Sequence, residues 1–280
     1  VTGATSNLVS YSWDLDKRTA TFPDKTYYTI TAAATEGGSA WNGGSVPEGG
    51  KIELLSSADS GYRFDGWYDG DTMVCDTTEF LVENVTGEKT YTAKFTKISV
   101  LFETDASNTL LSKAVEGGLV KSINSIKSVS FVDLNSYDLT GIKTVDYSAE
   151  GDGRTLAWYD EANSALYIGG EGKVVGEGSL AYAFYDGKYI DAINGLDLLE
   201  TGYVALMNGM FYSCGEYSDS FTLDLGDDFS TVQAITMADM FAYCGMNSEV
   251  FTLNLGKMFY TLRVGDMSGM FAYCGMSSKV

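Results

Sequence analysis

Over the last hundred positions the apolar residues fall into a pattern that repeats. The chain reads MNGMFYSCG from Met207, MADMFAYCG from Met237 and MSGMFAYCG from Met267, at two equal intervals. Between the copies stand FTLDLG (221–226) and FTLNLG (251–256), offset by the same interval. A fixed period of about 20–50 residues marks a stack of units, each burying its apolar face only against its neighbours. The alternation in xLxL predicts a strand. Met237, Met240 and Phe241, at i, i+3 and i+4, predict one face of a short helix, and the CG after it a turn. LAYAFYDGK, from Leu180, falls on MNGMFYSCG at a slightly shorter shift, setting Phe184 over Phe211 and Leu196 and Leu198 over Leu223 and Leu225. The architecture expected over 180–280 is an α/β solenoid of strand–helix coils, leucine-rich-repeat-like, with a period of 27–30.

Upstream, the pattern is that of strands. Alternation around Tyr11, Trp13 and Leu15, then Phe22, Tyr28 and Ile30, predicts short strands within residues 1–35. Residues 36–97 hold a glycine-rich, turn-like GGSAWNGGSVPEGG and the strand KIELLSSA. The aromatic run GYRFDGWYDG and the strands EFLVENV and TYTAKF follow. From 98 to 178, the segments SVSFVDLNSYD, TVDYSAEG, TLAWYDEA and SALYIGGEG predict further strands, punctuated by Gly151, Gly153, Gly169, Gly170 and Gly172. The expected organisation is a small all-β module over 1–97, a β-rich N-terminal cap over 98–179 that shields the first coil, and the coils over 180–280. Residues 1–35 either open the first module or close a preceding copy.

Composition narrows the function. Gly is abundant at 32, Pro scarce at 2 and Tyr frequent at 19, a mixture that favours strands and tight turns. No apolar run approaches the roughly 18 residues that span a bilayer. A net charge of −20 argues against nucleic acid and anionic lipid surfaces. The absence of histidine removes the commonest general base and zinc ligand, and with it the Ser–His and Cys–His triads. Four cysteines (Cys75, Cys214, Cys244, Cys274) include no CxxC pair. A start at Val1 and a stop within a repeat read as a piece of a longer protein.

Two segments carry resemblances. The glycine-rich opening, GYRFDGWYDG and the closing YTAKF together resemble the Listeria–Bacteroides (divergent internalin B-type) repeat, a small β module strung along bacterial surface proteins. TATFPDKTYYTITA is similar to the closing strands of a preceding copy. DMSGMFAYCG (266–275), with LDL before a helix ending in MF, resembles the repeat of BspA-like leucine-rich-repeat surface proteins, in the variant seen in mycoplasma-type lipoproteins. IKTVDYSAEGDGRTLAWYDEANSALYIGGEGKV resembles the segment that caps those repeats. LDLGDDFST and LNLGKMFYT depart from the family's LDLSxFDT, so the loop chemistry differs. The resemblance implies an extracellular, surface-anchored or secreted bacterial protein that mediates adhesion without catalysis or cofactor. Its implied partners are host or bacterial surface proteins, matrix or glycans.

The Met–Met–Phe ladder reads as core rather than as a soft binding groove. Strands ~4.8 Å apart and helices ~8–10 Å apart would curve the stack. Outward strand residues Thr222, Asp224, Thr252 and Asn254, with Asp197 in the earlier coil, then line a concave face. By resemblance that face binds partners, and a merely solvated polar face is the competing reading. Helix spacing also exceeds the ~4.4–6.8 Å Cα window of a disulfide, so the repeat cysteines are expected to be free buried thiols. The clusters Asp224/Asp227/Asp228 and Asp65/Asp69/Asp71 lack calcium-loop spacing, and no metal is expected. Trp41, in the glycine-rich stretch, is a further candidate for stacking on a ligand; Trp67 is assigned to core. Two alternatives stand beside adhesion: a carbohydrate-binding module, and a spacer for a binding domain outside this chain.

Overall fold

The computed structural model describes residues 25–279, together with the backbone of 12–14 and 19–21. Two compact units result, Val1–Lys97 and Ile98–Val280. In the first, β1 (Ser12–Asp14) and β2 (Thr19–Thr21) pair antiparallel. Tyr11, Leu15 and Phe22, expected in strands, lie outside the described residues. Eight strands follow: β3 (Tyr27–Ala34), β4 (Gly38–Trp41), β5 (Gly44–Pro47), β6 (Ile52–Ala58), β7 (Tyr62–Asp69), β8 (Thr72–Cys75), β9 (Glu79–Val82) and β10 (Lys89–Lys97). They form a five-stranded sheet, β5-β3-β10-β7-β8, and a three-stranded sheet, β4-β6-β9.

Trp67 is fully buried at the centre of this unit, edge-on to Phe64 at 6.4 Å, with its indole N–H donating to the Thr78 carbonyl at 3.4 Å. The glycine-rich stretch that reads as a turn contains β4 and β5. Its glycines serve close packing as well as turning: a Cβ on Gly38 would fall 2.4 Å from the Phe95 ring.

The second unit opens with β11 (Ser99–Val100) and α1 (Leu110–Glu116), followed by β12 (Ser128–Asp133), β13 (Thr144–Asp146), β14 (Thr155–Asp160), β15 (Ala165–Gly170), β16 (Val174–Ser179), β17 (Ala192–Asn194), β18 (Leu199–Leu206), β19 (Ser220–Asp224) and β20 (Val250–Asn254). Helix α1 was not expected in a segment that reads as strands and turns. Locally it is well specified: Thr109 Oγ1 accepts from the Ser112 amide and Ser112 Oγ from the Thr109 amide, both at 2.9 Å, while Leu110, Leu111 and Ala114 are buried. One sheet is β11-β16-β18; the other has seven strands, in the order β13-β14-β15-β12-β17-β19-β20. Val129, Phe131, Ile168, Ile193 and Leu223 line its inner face, in one continuous core.

The expected solenoid of strand–helix coils is not what the chain builds. Residues 208–217, 238–247 and 268–277 are runs of consecutive turns, not helices. Gly209, Ser213, Asp239, Tyr243, Gly269 and Tyr273 all take positive φ, between 54° and 64°, and a left-handed residue every fourth position breaks a right-handed helix. Backbone hydrogen bonding explains the alternative. The amides of Gly209, Phe211 and Ser213 donate to Ala238, Met240 and Ala242 of the next coil at 2.8, 2.9 and 2.9 Å. Those of Met210, Tyr212 and Cys214 donate within their own turn, to Met207, Gly209 and Phe211, at 3.3, 3.0 and 3.0 Å. With alternate amides committed to a neighbour, the continuous i→i−4 ladder of an α-helix cannot form. The same scheme joins Asp239, Phe241 and Tyr243 to Ser268, Met270 and Ala272.

Coil contacts are therefore hydrogen-bonded on the turn side as well as the strand side. The difference between strand and helix spacing, from which a curved concave face was expected, is absent. The interior survives this change. Met207, Met210, Phe211, Cys214, Met237, Met240, Phe241 and Cys244 are all fully buried, and Phe184, Phe211, Phe241 and Phe271 stack at successive centroid distances of 5.2, 5.5 and 5.4 Å.

Candidate binding face

In strands the register, not the repeat motif, decides which side chains share a face. Strands β19 and β20 run parallel with Thr222 beside Thr252 and Asp224 beside Asn254. Strand β17 sets Ala192 beside Thr222 and Ile193 beside Leu223, which is the longer shift of the later coils and not the shorter one of the first turn. Asp197 is thereby removed from the row. It lies in a 3-10 turn, Leu196–Leu198, beyond Gly195; the β17–β19 pairing ends at Ile193 and Leu223, and continuing it by one residue sets Asn194 on the side of Asp224. The pointer to Asn194 was Ile193, which stands one full period before Leu223; the shorter shift that aligns the turns hid it.

Across the sheet the same row continues. Asn194 pairs with Ser130, Ser130 with Tyr167, and Tyr167 with Trp158. A second row runs Ala165, Ser128, Ala192, Thr222, Thr252. This outer face opposes the buried one and holds no lysine or arginine in either row. Asn194 Nδ2 donates to Ser130 Oγ at 3.3 Å, and Asn254 Nδ2 to Asp224 Oδ1 at 2.9 Å. Asp224 Oδ1 also accepts the Gly226 amide at 2.9 Å, and Asn254 Oδ1 the Gly256 amide at 3.1 Å, so both side chains also brace the turns that end their strands. At the far end Trp158 and Tyr167 stack at 5.3 Å, with the ring of Tyr137 over them at 5.1 and 5.8 Å. Trp41 belongs to the first unit, at the end of β4, half-exposed and paired with Leu55.

The acidic clusters are met by lysines. Asp227 pairs with Lys257 of the next coil, and Asp228 with Lys173 at 3.1 Å; Asp69 pairs with Lys89 and Asp71 with Lys94 at 4.0 Å. Among the described residues no group of three or more His, Cys, Asp or Glu is arranged to hold a metal ion.

All four cysteines are free. They are not held apart by helix spacing, however, because the turns that carry them are bonded directly: the Gly245 amide donates to the Cys214 carbonyl and the Gly275 amide to the Cys244 carbonyl, each at 2.9 Å. Burial pushes the Cys214 and Cys244 thiols up, while the Cys274 thiol is held below its usual range by its hydrogen bond with Cys244. Since the thiolate is the reactive form, alkylation of the native chain at about pH 8 is expected to modify Cys274 and the part-exposed Cys75 and to spare Cys214 and Cys244. Denaturant should release all four. Intact-mass counting reads the result, and early labelling of Cys214 would contradict the buried assignment.

Residues 28–99 match the family of the divergent InlB B-repeat domain. The match supports a B-repeat-like module in the first unit. This is a bacterial surface-associated repeat, and the matched span runs from β3 to the start of β11. No curated protein and no solved structure matches the chain. The family match ends at residue 99 and lends no support to the BspA-like resemblance drawn for the later repeats.

Proposed function

We propose that this protein is an extracellular binding protein of a bacterial surface, working by adhesion rather than catalysis. The outer face of its seven-stranded sheet is the contact surface. The observation that carries this reading is the in-register row Ser128–Ala192–Thr222–Thr252, with the pairs Ser130–Asn194 and Asp224–Asn254 beside it, drawn from four strands and standing on a fully formed core. Binding surfaces need such rigid support. The B-repeat domain supports the setting, and a chain without histidine lacks the usual proton-transfer group. Partners on this reading are macromolecules of host or bacterial surfaces.

The test is adhesion of beads coated with the full chain to matrix-coated plates and to bacterial cells. The double variant Thr222→Arg/Thr252→Arg changes two exposed, paired positions and leaves the core untouched. It is expected to reduce adhesion by about tenfold, the effect of ~1.4 kcal/mol. Undiminished adhesion by the double variant would remove the face from the mechanism and favour the spacer reading.

A further inference from the structure

The outer face also indicates its ligand, on the reading that it is the contact surface. We infer that it binds a neutral polysaccharide chain, laid across the strands from Tyr137 towards Asn254.

Three features of the face lead there. First, β14, β15, β12, β17 and β19 each have a strand on both sides, so short of the edge strand β20 the backbone donors and acceptors are used up in the ladder and an added peptide strand has nothing to pair with. Recognition has to come from side chains. Second, those side chains are unsuited to a protein hot spot. Such sites seat a large apolar or arginine anchor in a pocket, whereas the row Ala165–Ser128–Ala192–Thr222–Thr252 offers only alanine, serine and threonine, which leave that side of the face shallow. Third, each end has the chemistry of sugar recognition. Tyr137 is 42% exposed and covers Trp158, which is 4% exposed, sits on the outer face and lies outside the main core cluster. An aromatic ring fixed in this way offers an apolar surface to the C–H face of a sugar, with a polar handle at its edge. Asn194 and Asn254 each both donate and accept, which matches adjacent hydroxyls, and Asp224 adds an acceptor.

Dimensions and charge are consistent with this. From Trp158 on β14 to Asn254 on β20 there are five strand steps, or about 24 Å at ~4.8 Å each. A polymer spans that distance and a monosaccharide does not. A net charge of −20 with no basic residue in the two rows repels uronic or sulfated chains. That selects a neutral ligand.

Affinity electrophoresis of the full chain through gels cast with neutral polysaccharides (a β-glucan, a mannan, a starch) or anionic ones (a pectin, a heparin) tests the inference. Retardation is expected with at least one neutral polymer and with neither anionic one. Tyr137→Ala and Asn194→Ala should each weaken it by about tenfold. Tyr137→Phe should retain it, and Trp41→Ala should leave it unchanged. Matching melting curves control for folding, and the exposed Asn194→Ala decides if Tyr137→Ala melts early. Absence of retardation by every neutral polymer, retardation by the anionic ones alone, or loss with Trp41→Ala would overturn the inference. If bead adhesion falls in Thr222→Arg/Thr252→Arg while no polysaccharide retards the chain, the face remains a contact surface and only the glycan assignment fails. If adhesion does not fall either, both fail.

Discussion

Phe211→Ala is expected to destabilise the second unit by about 3–5 kcal/mol, the usual cost of removing a buried phenylalanine and leaving a cavity. Phe211 is fully buried and lies flat between two rings, Phe184 at 5.2 Å and Phe241 at 5.5 Å, with Phe229 tilted against it at 6.4 Å. Neither flanking ring can close the gap without leaving its partner on the other side, Phe131 at 6.2 Å for Phe184 and Phe271 at 5.4 Å for Phe241. The backbone cannot close it either, because the Phe211 amide is held by the Met240 carbonyl at 2.9 Å. Urea unfolding followed by circular dichroism measures the effect. Phe271→Ala provides the internal comparison: it has the same place in the repeat but is 48% exposed and stacks on Phe241 alone. Its cost should be clearly smaller, and equal costs would mean that the ladder is not the spine of the unit.

That ladder was the most legible part of the sequence. Its period gave the stacking of units, and the i, i+3, i+4 spacing of Met237, Met240 and Phe241 gave the buried side. Neither gave the backbone conformation. Apolar residues at that spacing meet on one side of a helix, and here they meet equally well on one side of a chain of turns. What decides between the two is whether residues such as Asp239 and Tyr243 sit at positive φ, at 54° and 60°, and whether alternate amides face a neighbouring coil. Both depend on the partner coil, which no window of local sequence contains. The helix that does form, Leu110–Glu116, went unread although its Thr109–Ser112 cap is local.

The binding face was half legible for a related reason. Thr222, Thr252, Asp224 and Asn254 follow from one period shared by strands and turns alike. One coil earlier the two part company. The turns keep the shorter shift, with Phe184 stacked on Phe211, while the strands keep the full period, with Ile193 beside Leu223. The difference is taken up between turn and strand, where the first coil is shorter. Reading a single shift through both placed Asp197 on the face and missed Asn194. The partners of Asn194 on its other side, Ser130 and the Tyr137–Trp158–Tyr167 cluster, come from strands outside the repeat altogether. No periodicity leads to them.

Gly195, the residue that turns the chain out of that row, is a place where a single methyl group should do much damage. Gly195→Ala is expected to cost about 2–5 kcal/mol, from a left-handed conformation and a backbone collision added together. Gly195 has φ +70°, and a Cβ there would stand 2.2 Å from the Phe131 carbonyl oxygen. That oxygen belongs to β12, the strand paired with β17, so it cannot swing aside as a side chain would. Relief requires β17 to part from β12, which carries Asn194 away from Ser130 and opens the row at its centre. Gly226→Ala isolates the collision. Gly226 also has a left-handed backbone, φ +71°, but a Cβ there would meet nothing within 4 Å, so only the conformational cost of about 1–2 kcal/mol remains. Thermal unfolding of the two variants side by side gives the difference. Equal melting temperatures would show that β12 and β17 are not held at the separation on which the face depends.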